Sequence, residues 1–128
     1  MSNNVKIFIS IIGILVLGAI VTVLIRATST PSGPGKYDTF ATCLKDEGAV
    51  FYGAFWCVHC QATKKLFGSS QKLLPYVECS LASGQGQTQL CTDKKIEGYP
   101  TWEFGDGSRL TGEIPLQQLA DKTSCALP

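Results

Sequence analysis

Two cysteines separated by two residues are the part of this sequence best suited to chemistry. Cys57 and Cys60 lie in the stretch Trp56-Cys57-Val58-His59-Cys60. If a helix begins at the first cysteine, both side chains lie on one helix face, close enough to form a disulfide. The N–H groups and dipole of the helix N-terminus stabilise a thiolate there, so they should lower the pKa of the Cys57 thiol below about 8.5. The pattern predicts thiol–disulfide exchange, with Cys57 as the nucleophile and Cys60 as the resolving thiol.

His59 lies between these cysteines and is the only histidine of the chain. A lone histidine is ordinarily a solvated surface residue. An imidazolium beside the pair, however, would favour the reduced and ionised state of Cys57, and a stabilised reduced form makes the disulfide a stronger oxidant. We therefore predict that His59 tunes the pair towards oxidation of other thiols.

A Cys-x-x-Cys pair can also bind zinc or act as a structural staple. A structural zinc site needs four ligands, commonly a second such pair or two histidines. Here eleven residues lie between Cys79 and Cys91, and Cys43 and Cys125 stand alone. A disulfide that closes a one-turn loop is a poor staple because the loop is so short. We expect no bound metal and no cofactor.

The elements that must position the pair follow from the apolar pattern and from the glycines and prolines. Strands that alternate with helices imply a right-handed crossover and a partly parallel sheet, to which a closing hairpin adds antiparallel strands. The sequence therefore predicts an α/β fold. The predicted order is a helix over residues 37–47, a strand over 49–55, a helix over 57–67, a strand over 75–80, a helix over 88–96, strands over 101–104 and 109–112, and a helix with Pro115 in its first turn.

Details of two helices follow from the same pattern. Asp38 is expected to cap the helix over residues 37–47, and Gly48 is expected to end it. Gly68 is expected to end the helix over residues 57–67. Ala62 and Leu66 are expected to face the core from the helix that carries the cysteine pair.

An uncharged apolar segment lies near the N-terminus. It covers residues 7–25, after a short tail of residues 1–6, and Lys6 and Arg26 flank it. A helix needs about 20 apolar residues to cross a bilayer, so we predict a transmembrane anchor. A cleaved signal peptide is the main alternative, but its apolar region is only about 7–15 residues long and precedes a small-x-small cleavage site. A buried soluble helix would show a polar face, which this segment lacks.

Residues 26–36 are rich in Ser, Thr, Pro and Gly and predict a flexible tether before a globular domain of residues 37–128. The net charge of +1 argues against nucleic acid as a partner. The charges beside the apolar segment barely decide its orientation. Six cysteines are unusual in a reducing cytosol, so we expect the domain on the extracytoplasmic side of the membrane.

The sequence around the pair resembles the thioredoxin superfamily. The resemblance lies in Trp-Cys-x-x-Cys after an aromatic strand and in Tyr99-Pro100-Thr101 before a later strand. It implies a thioredoxin-like fold, a cis peptide bond before Pro100 facing the cysteine pair, and a backbone at Tyr99 that pairs with a substrate strand. A trans bond is the commoner state of such a bond in general. The candidate catalytic residues are Cys57, Cys60, His59 and Pro100, and the candidate client-binding residues are Trp56, Val58 and Tyr99.

A closer resemblance is to the thioredoxin-like domain fused to, or partnered with, bacterial homologues of vitamin K epoxide reductase. The similar stretches are residues 52–61, 66–68, 75–79 and 98–102. This resemblance implies a periplasmic-side domain that exchanges electrons with a quinone-linked membrane oxidase, and an extra cysteine pair that Cys79 and Cys91 match. Because the chain has one membrane segment, we expect that oxidase to be a separate chain.

Two residues depart from these families. Val58 stands where many members of the closer family have proline. Phe51 stands where many thioredoxin-like proteins carry a buried acid, so a proton relay through that carboxylate is absent. Glu78 is an acid on the neighbouring strand, and whether it takes over this role is left open by the sequence.

The other four cysteines are expected to form structural disulfides. A Cys79–Cys91 bond would join the second strand to the next helix, and Cys43 would then pair with Cys125. Their loops would contribute about 3 and 4.5 kcal/mol in the chain-entropy model. Free buried thiols are the alternative for each, and a second redox pair at Cys79 and Cys91 is a further one.

Three functions are compatible with this pattern. The first is an oxidase that takes electrons from client protein thiols and is reoxidised by a membrane partner related to vitamin K epoxide reductase. The second is a reductase or isomerase that runs the same site in reverse, for example in cytochrome maturation. The third is a non-catalytic adaptor that uses the fold only for binding. The residues favour the first.

Overall fold

The computed structural model describes residues 2–27 and 33–128, with side chains for residues 2–25 and 33–128. The chain divides into two compact units, Met1–Gly33 and Pro34–Pro128. The predicted tether, residues 26–36, falls partly on residues 28–32, which lie outside the described residues. Its flexibility and the predicted domain limits stay predictions.

Among its described residues, the N-terminal unit contains one helix, α1 (Asn3–Ala27). Its segment Asn3–Ile25 contains an 18-residue stretch with a mean hydropathy of 3.0 and is long and apolar enough to cross a membrane. At about 1.5 Å per residue these 23 residues span about 34 Å, slightly more than the hydrocarbon core of a bilayer. The predicted helix is confirmed, and it could anchor the protein in a membrane. A signal sequence near the N-terminus can meet the same minimum requirements of length and apolar composition.

The C-terminal unit is built on a four-stranded mixed sheet in the order β2-β1-β3-β4. Strands β1 and β2 are parallel, whereas β1 with β3 and β3 with β4 are antiparallel. The predicted α/β fold, with a partly parallel sheet and a closing hairpin, is confirmed. The strands are β1 (Val50–Gly53), β2 (Tyr76–Glu78), β3 (Thr101–Glu103) and β4 (Arg109–Thr111).

Four helices accompany the sheet: α2 (Asp38–Asp46), α3 (Val58–Leu66), α4 (Gln89–Asp93) and α5 (Leu116–Thr123). Gly48 and Gly68 follow α2 and α3 with φ of 77° and 55°, a left-handed backbone that glycine adopts easily, so their predicted role in ending the helices is confirmed. The predicted cap at Asp38 is wrong. The helix begins at Asp38 itself, whose carboxylate accepts a hydrogen bond from the backbone N–H of Gly35 at 2.8 Å.

A 3-10 helix (Gly68–Leu73) follows α3 and was not predicted, because its polar sequence shows no apolar period. The predicted inward face of α3 is also wrong. Leu66 is exposed and Ala62 is only partly buried, whereas Cys60, Thr63 and the adjoining Phe67 are buried. The helix is rotated so that the face carrying Cys60 packs into the core, which turns Leu66 towards solvent.

The core lies on both faces of the sheet. Successive residues of a strand point to opposite faces, and in β1 Phe51 belongs to the larger cluster and Tyr52 to the smaller one. The larger cluster contains Phe40 of α2, Cys60 of α3 and Leu119 of α5. The smaller cluster contains Cys79, Cys91 and Ile96. The sheet is therefore flanked by helices, with α4 on the side of Tyr52.

All six cysteines form disulfides. Cys43 in α2 is joined to Cys125 after α5, with the Cα atoms 5.9 Å apart. Cys79, which follows β2, is joined to Cys91 in α4 at a Cα separation of 5.6 Å. These bonds tie the C-terminal segment to the first helix of the domain and the end of β2 to α4. The third bond joins Cys57 and Cys60.

Candidate redox site

Cys57 lies at the N-terminus of α3, as the sequence predicts. It is the N-cap residue, with extended backbone angles, and its sulfur accepts a hydrogen bond from the backbone N–H of Cys60 at 3.1 Å. Its carbonyl accepts the first helical bond, from the N–H of Gln61, at 3.1 Å. The Cys57–Cys60 disulfide spans this first turn with a Cα separation of 5.2 Å. A negative charge that develops on the Cys57 sulfur would thus meet backbone N–H groups.

The two sulfur-bearing residues differ in access to solvent. Cys57 is 6% exposed and Cys60 is 1% exposed. Two exposed apolar residues flank the more accessible cysteine. Trp56 is half exposed, and Val58 is more exposed still. An incoming thiolate would therefore reach Cys57 more easily than Cys60, in agreement with the predicted roles of nucleophile and resolving thiol.

A groove of about 430 Å³ opens beside Cys57. It brings together five of the candidate site residues, and Pro100 follows directly after the groove residue Tyr99. The Tyr99–Pro100 peptide bond is cis, as the family resemblance implies, and Pro100 is buried. The groove also includes two residues that sequence reasoning missed, Glu97 and Gly98. The lining residues are Trp56, Cys57, Val58, His59, Glu97, Gly98 and Tyr99.

His59 lies on the exposed rim of the groove with a partner that the sequence did not reveal. Its Nδ1 is 2.6 Å from Oε1 of Glu113, and the two side chains are 65% and 47% exposed. A protonated imidazole would face a carboxylate that balances its charge, which weakens the positive field that reaches Cys57. An exposed pair of this kind contributes little to stability. Glu113 is 54 residues from His59, so only the fold brings them together.

Phe51 and Glu78, the two residues considered for a proton relay, both have structural contacts. Phe51 is fully buried and stacks on Trp102, with ring centroids 4.7 Å apart and planes 5° apart. The Glu78 carboxylate accepts hydrogen bonds from the backbone N–H of Phe55 at 3.1 Å, the N–H of Ser80 at 2.9 Å and the Tyr76 hydroxyl at 2.8 Å. Glu78 therefore holds the backbone two residues before Cys57.

Tyr76 and Lys64 pack behind the cysteine pair. Lys64 Nζ lies 3.3 Å from the centroid of the Tyr76 ring. Burial lowers the pKa of the Lys64 amine, and the charge of Glu78 opposes that shift. Burial and the hydrogen bond to Glu78 raise the pKa of the Tyr76 hydroxyl far above its ordinary value. Tyr76 therefore stays a neutral hydrogen-bond donor at physiological pH.

Gly53 gives the Cys60 sulfur its space. A Cβ atom built on Gly53 would lie 2.8 Å from Cε2 of Tyr76 and 3.0 Å from Sγ of Cys60. We expect Gly53→Ala to displace the ring or the sulfur and to lower the free energy of unfolding by about 1–3 kcal/mol, the usual cost of overpacking. Urea unfolding followed by tryptophan fluorescence measures this loss.

Gly98→Ala is the matched control for Gly53→Ala. Its Cβ would meet Thr111 Cγ2 at 3.8 Å, an ordinary van der Waals contact. We expect that variant to unfold close to the wild-type urea concentration. Equal stability losses in the two variants would contradict the packing role of Gly53.

The site has the parts that disulfide exchange needs. It holds one sulfur-bearing residue that is more exposed than the other, a backbone N–H donor at a helix N-terminus, and a groove beside Cys57. Within residues 2–27 and 33–128, no group of three or more His, Cys, Asp and Glu side chains is arranged to hold a metal ion.

Comparison with known proteins agrees with this chemistry. No protein-family model matches the chain. The thiol-disulfide oxidoreductase LTO1 of Arabidopsis thaliana is 44% identical to the chain over 88 residues. The alignment covers 66% of this chain and 23% of that relative, so the chain spans about a quarter of the relative's length. The relative's name states the class of reaction that the cysteine pair indicates.

Proposed function

We propose that this chain is a membrane-anchored thiol–disulfide oxidoreductase that oxidises client protein thiols. The observation that carries the proposal is the Cys57–Cys60 disulfide at the N-terminus of α3, whose more accessible sulfur opens on a groove. The similarity to an oxidoreductase supports the reaction class. The apolar helix α1 supports attachment to a membrane.

The proposed reaction is a two-step exchange. A client thiolate attacks Sγ of Cys57, which breaks the Cys57–Cys60 bond, forms a mixed disulfide and releases Cys60 as a thiolate that takes up a proton. A second client thiolate then attacks the client sulfur of the mixed disulfide. This releases Cys57 as a thiolate, which the N–H groups of the helix terminus stabilise. The client loses two electrons and two protons. The site gains both electrons and one proton, on Cys60, and the other proton passes to solvent.

A second protein must reoxidise the cysteine pair after each turnover. We propose a quinone-linked membrane oxidase related to vitamin K epoxide reductase, whose own disulfide takes two electrons from the reduced pair. The resemblance of residues 52–61 and 98–102 to domains that work with such oxidases supports this partner. Three disulfides in one small domain support an oxidising compartment, and hence an extracytoplasmic position of the domain.

A reductase or isomerase is the second candidate, and one contact favours it. The Glu113 carboxylate offsets the charge of a protonated His59. The reduced form of the cysteine pair is therefore stabilised less than it would be by an imidazolium without a carboxylate partner. The direction of electron flow thus depends on the balance between the helix terminus, His59 and Glu113. A non-catalytic adaptor role would need none of these groups.

The reduction potential of the pair tests the oxidase proposal. The full chain in detergent is equilibrated with glutathione buffers, and the redox state of Cys57 and Cys60 is read by alkylation and mass spectrometry. We expect a potential less negative than about −200 mV, in the range of oxidants and isomerases. A value near the −270 mV typical of thioredoxin would overturn the oxidase assignment in favour of the reductase. Alkylation in intact cells should likewise find the pair oxidised.

A further inference from the structure

The segment between β2 and α4 folds back on itself beside the groove. Ser80 and Gln87 form an isolated antiparallel bridge. Next to this bridge, the N–H of Thr88 donates to the carbonyl of Cys79 at 2.8 Å. The Cys79–Cys91 disulfide lies at the base of the same loop. Residues 80–87 are therefore fixed at both ends, and we name them the bridged loop.

The two bridge residues each bind one aromatic side chain of the groove. Ser80 Oγ accepts a hydrogen bond from Nε1 of Trp56 at 2.9 Å. Gln87 Nε2 donates to the hydroxyl of Tyr99 at 2.6 Å and to the carbonyl of Ile96 at 2.8 Å. Since a carbonyl can only accept, the bond to Ile96 fixes which end of the Gln87 amide carries the nitrogen.

These two aromatic rings also contact each other. Trp56 and Tyr99 meet edge to face, with centroids 5.9 Å apart and planes at 74°. Both line the groove beside Cys57. The bridged loop therefore holds two neighbouring parts of the groove wall through two separate hydrogen bonds, and the loss of either bond would release one ring while the cysteine pair stays in place.

We propose that Ser80 and Gln87 are positioning residues that fix Trp56 and Tyr99 for binding the polypeptide segment around a client cysteine. This inference rests on the proposed function, because it assigns the groove to a peptide chain. Each ring presents apolar surface, and its one polar atom already has a hydrogen-bond partner in the bridged loop. Such a surface suits an extended peptide segment that has an apolar side chain near its cysteine. A small dithiol needs only the sulfur of Cys57 and gains nothing from the rings.

The test compares peptide and small-molecule substrates. The full chain in detergent, as wild type, Ser80→Ala and Gln87→Ala, oxidises either a short dithiol peptide with apolar residues or dithiothreitol. We expect the KM for the peptide to rise about five-fold in each variant, the effect of losing a hydrogen bond worth about 1 kcal/mol. The kcat, the rate with dithiothreitol and the reduction potential should stay at the wild-type values.

Two control variants separate positioning from folding. Ser80→Thr keeps the hydroxyl and should restore the KM for the peptide. Gln89→Ala removes an exposed glutamine that binds Asp93 on α4, and it should behave as wild type. Unchanged KM values in Ser80→Ala and Gln87→Ala would overturn the proposal, and so would equal losses with the peptide and with dithiothreitol.

A binding measurement distinguishes failure of this inference from failure of the proposed function. The same peptide with serine in place of its cysteines is titrated against each variant, and the Trp56 indole N–H is followed by NMR. Weaker binding in Ser80→Ala than in Gln89→Ala supports the positioning role even if the wild type oxidises no thiol. Equal binding in these two variants overturns the positioning role even if the wild type is an active oxidase.

Discussion

Cys60→Ala should accumulate covalent complexes with client proteins through Cys57. The variant retains the more accessible sulfur at the helix N-terminus, and its Cys57 thiolate can attack a client disulfide, which releases one client sulfur as a thiolate. The resulting mixed disulfide persists because the Cys60 thiol that would resolve it is absent. We expect disulfide-linked adducts on non-reducing gels after acid quenching, and mass spectrometry of these adducts names the clients. Turnover should fall by at least about a thousand-fold, as is usual when one member of a catalytic unit is removed.

Cys57→Ala is the matched control for this trapping experiment. It keeps Cys60, which is almost fully buried against Gly53 and Tyr76 and is therefore poorly placed to attack a protein disulfide. We expect few adducts and an equally large loss of turnover. Comparable adduct yields from the two variants would contradict the assignment of Cys57 as the nucleophile. An unchanged cellular function in cells that carry only the Cys57→Ala variant would instead support the adaptor role.

The parts of the site that the sequence predicts are those formed by neighbours in the chain. Cys57 reaches the N-terminus of α3 because β1 ends four residues before it and no helix-breaking residue follows until Gly68. The α/β fold follows from the same local patterns, since the strands and α-helices of the domain were predicted from apolar spacing and from glycines and prolines, whereas the 3-10 helix was not. The cis bond at Tyr99–Pro100 followed from a family resemblance, and no local pattern could have predicted it.

The parts that the sequence does not predict depend on contacts between distant residues. Glu113 meets His59 only because the segment after β4 passes the start of α3. Gln87 and Tyr99 meet because the bridged loop folds back over the groove. A charged or amide side chain in a polar loop has the same sequence signature whether it faces solvent or the site.

The exposed position of Leu66 has a related cause. Apolar spacing on α3 is compatible with more than one helix face. The packing of Cys60 and Phe67 into the core selects one of them, and Phe67 stacks on Phe40 of α2 with centroids 5.9 Å apart. The burial of the redox pair therefore decides the rotation of its helix, which a count of apolar residues cannot show.

Removal of the Cys43–Cys125 disulfide should remove the larger loop-closure contribution to stability of the two structural bonds. This bond joins residues 82 apart in sequence, whereas Cys79–Cys91 joins residues 12 apart. A longer closed loop restricts the unfolded chain more, so the double variant Cys43→Ala/Cys125→Ala should lose about 4.5 kcal/mol of the free energy of unfolding. A small domain has only about 5–15 kcal/mol in total, so this variant should unfold at a much lower urea concentration.

The urea dependence supplies an independent check on the origin of this loss. Without the long cross-link the unfolded state exposes more surface, so the slope of unfolding free energy against urea should rise clearly.

The matched variant Cys79→Ala/Cys91→Ala should lose about 3 kcal/mol from loop closure, and further stability because both of its sulfur atoms are fully buried. Its slope should change little, because a short loop constrains little of the unfolded chain. Both tryptophans lie in the domain, so their fluorescence reports the transition. A larger change of slope in the Cys79 variant would contradict the loop-length argument, because packing losses alter stability without altering the surface exposed on unfolding.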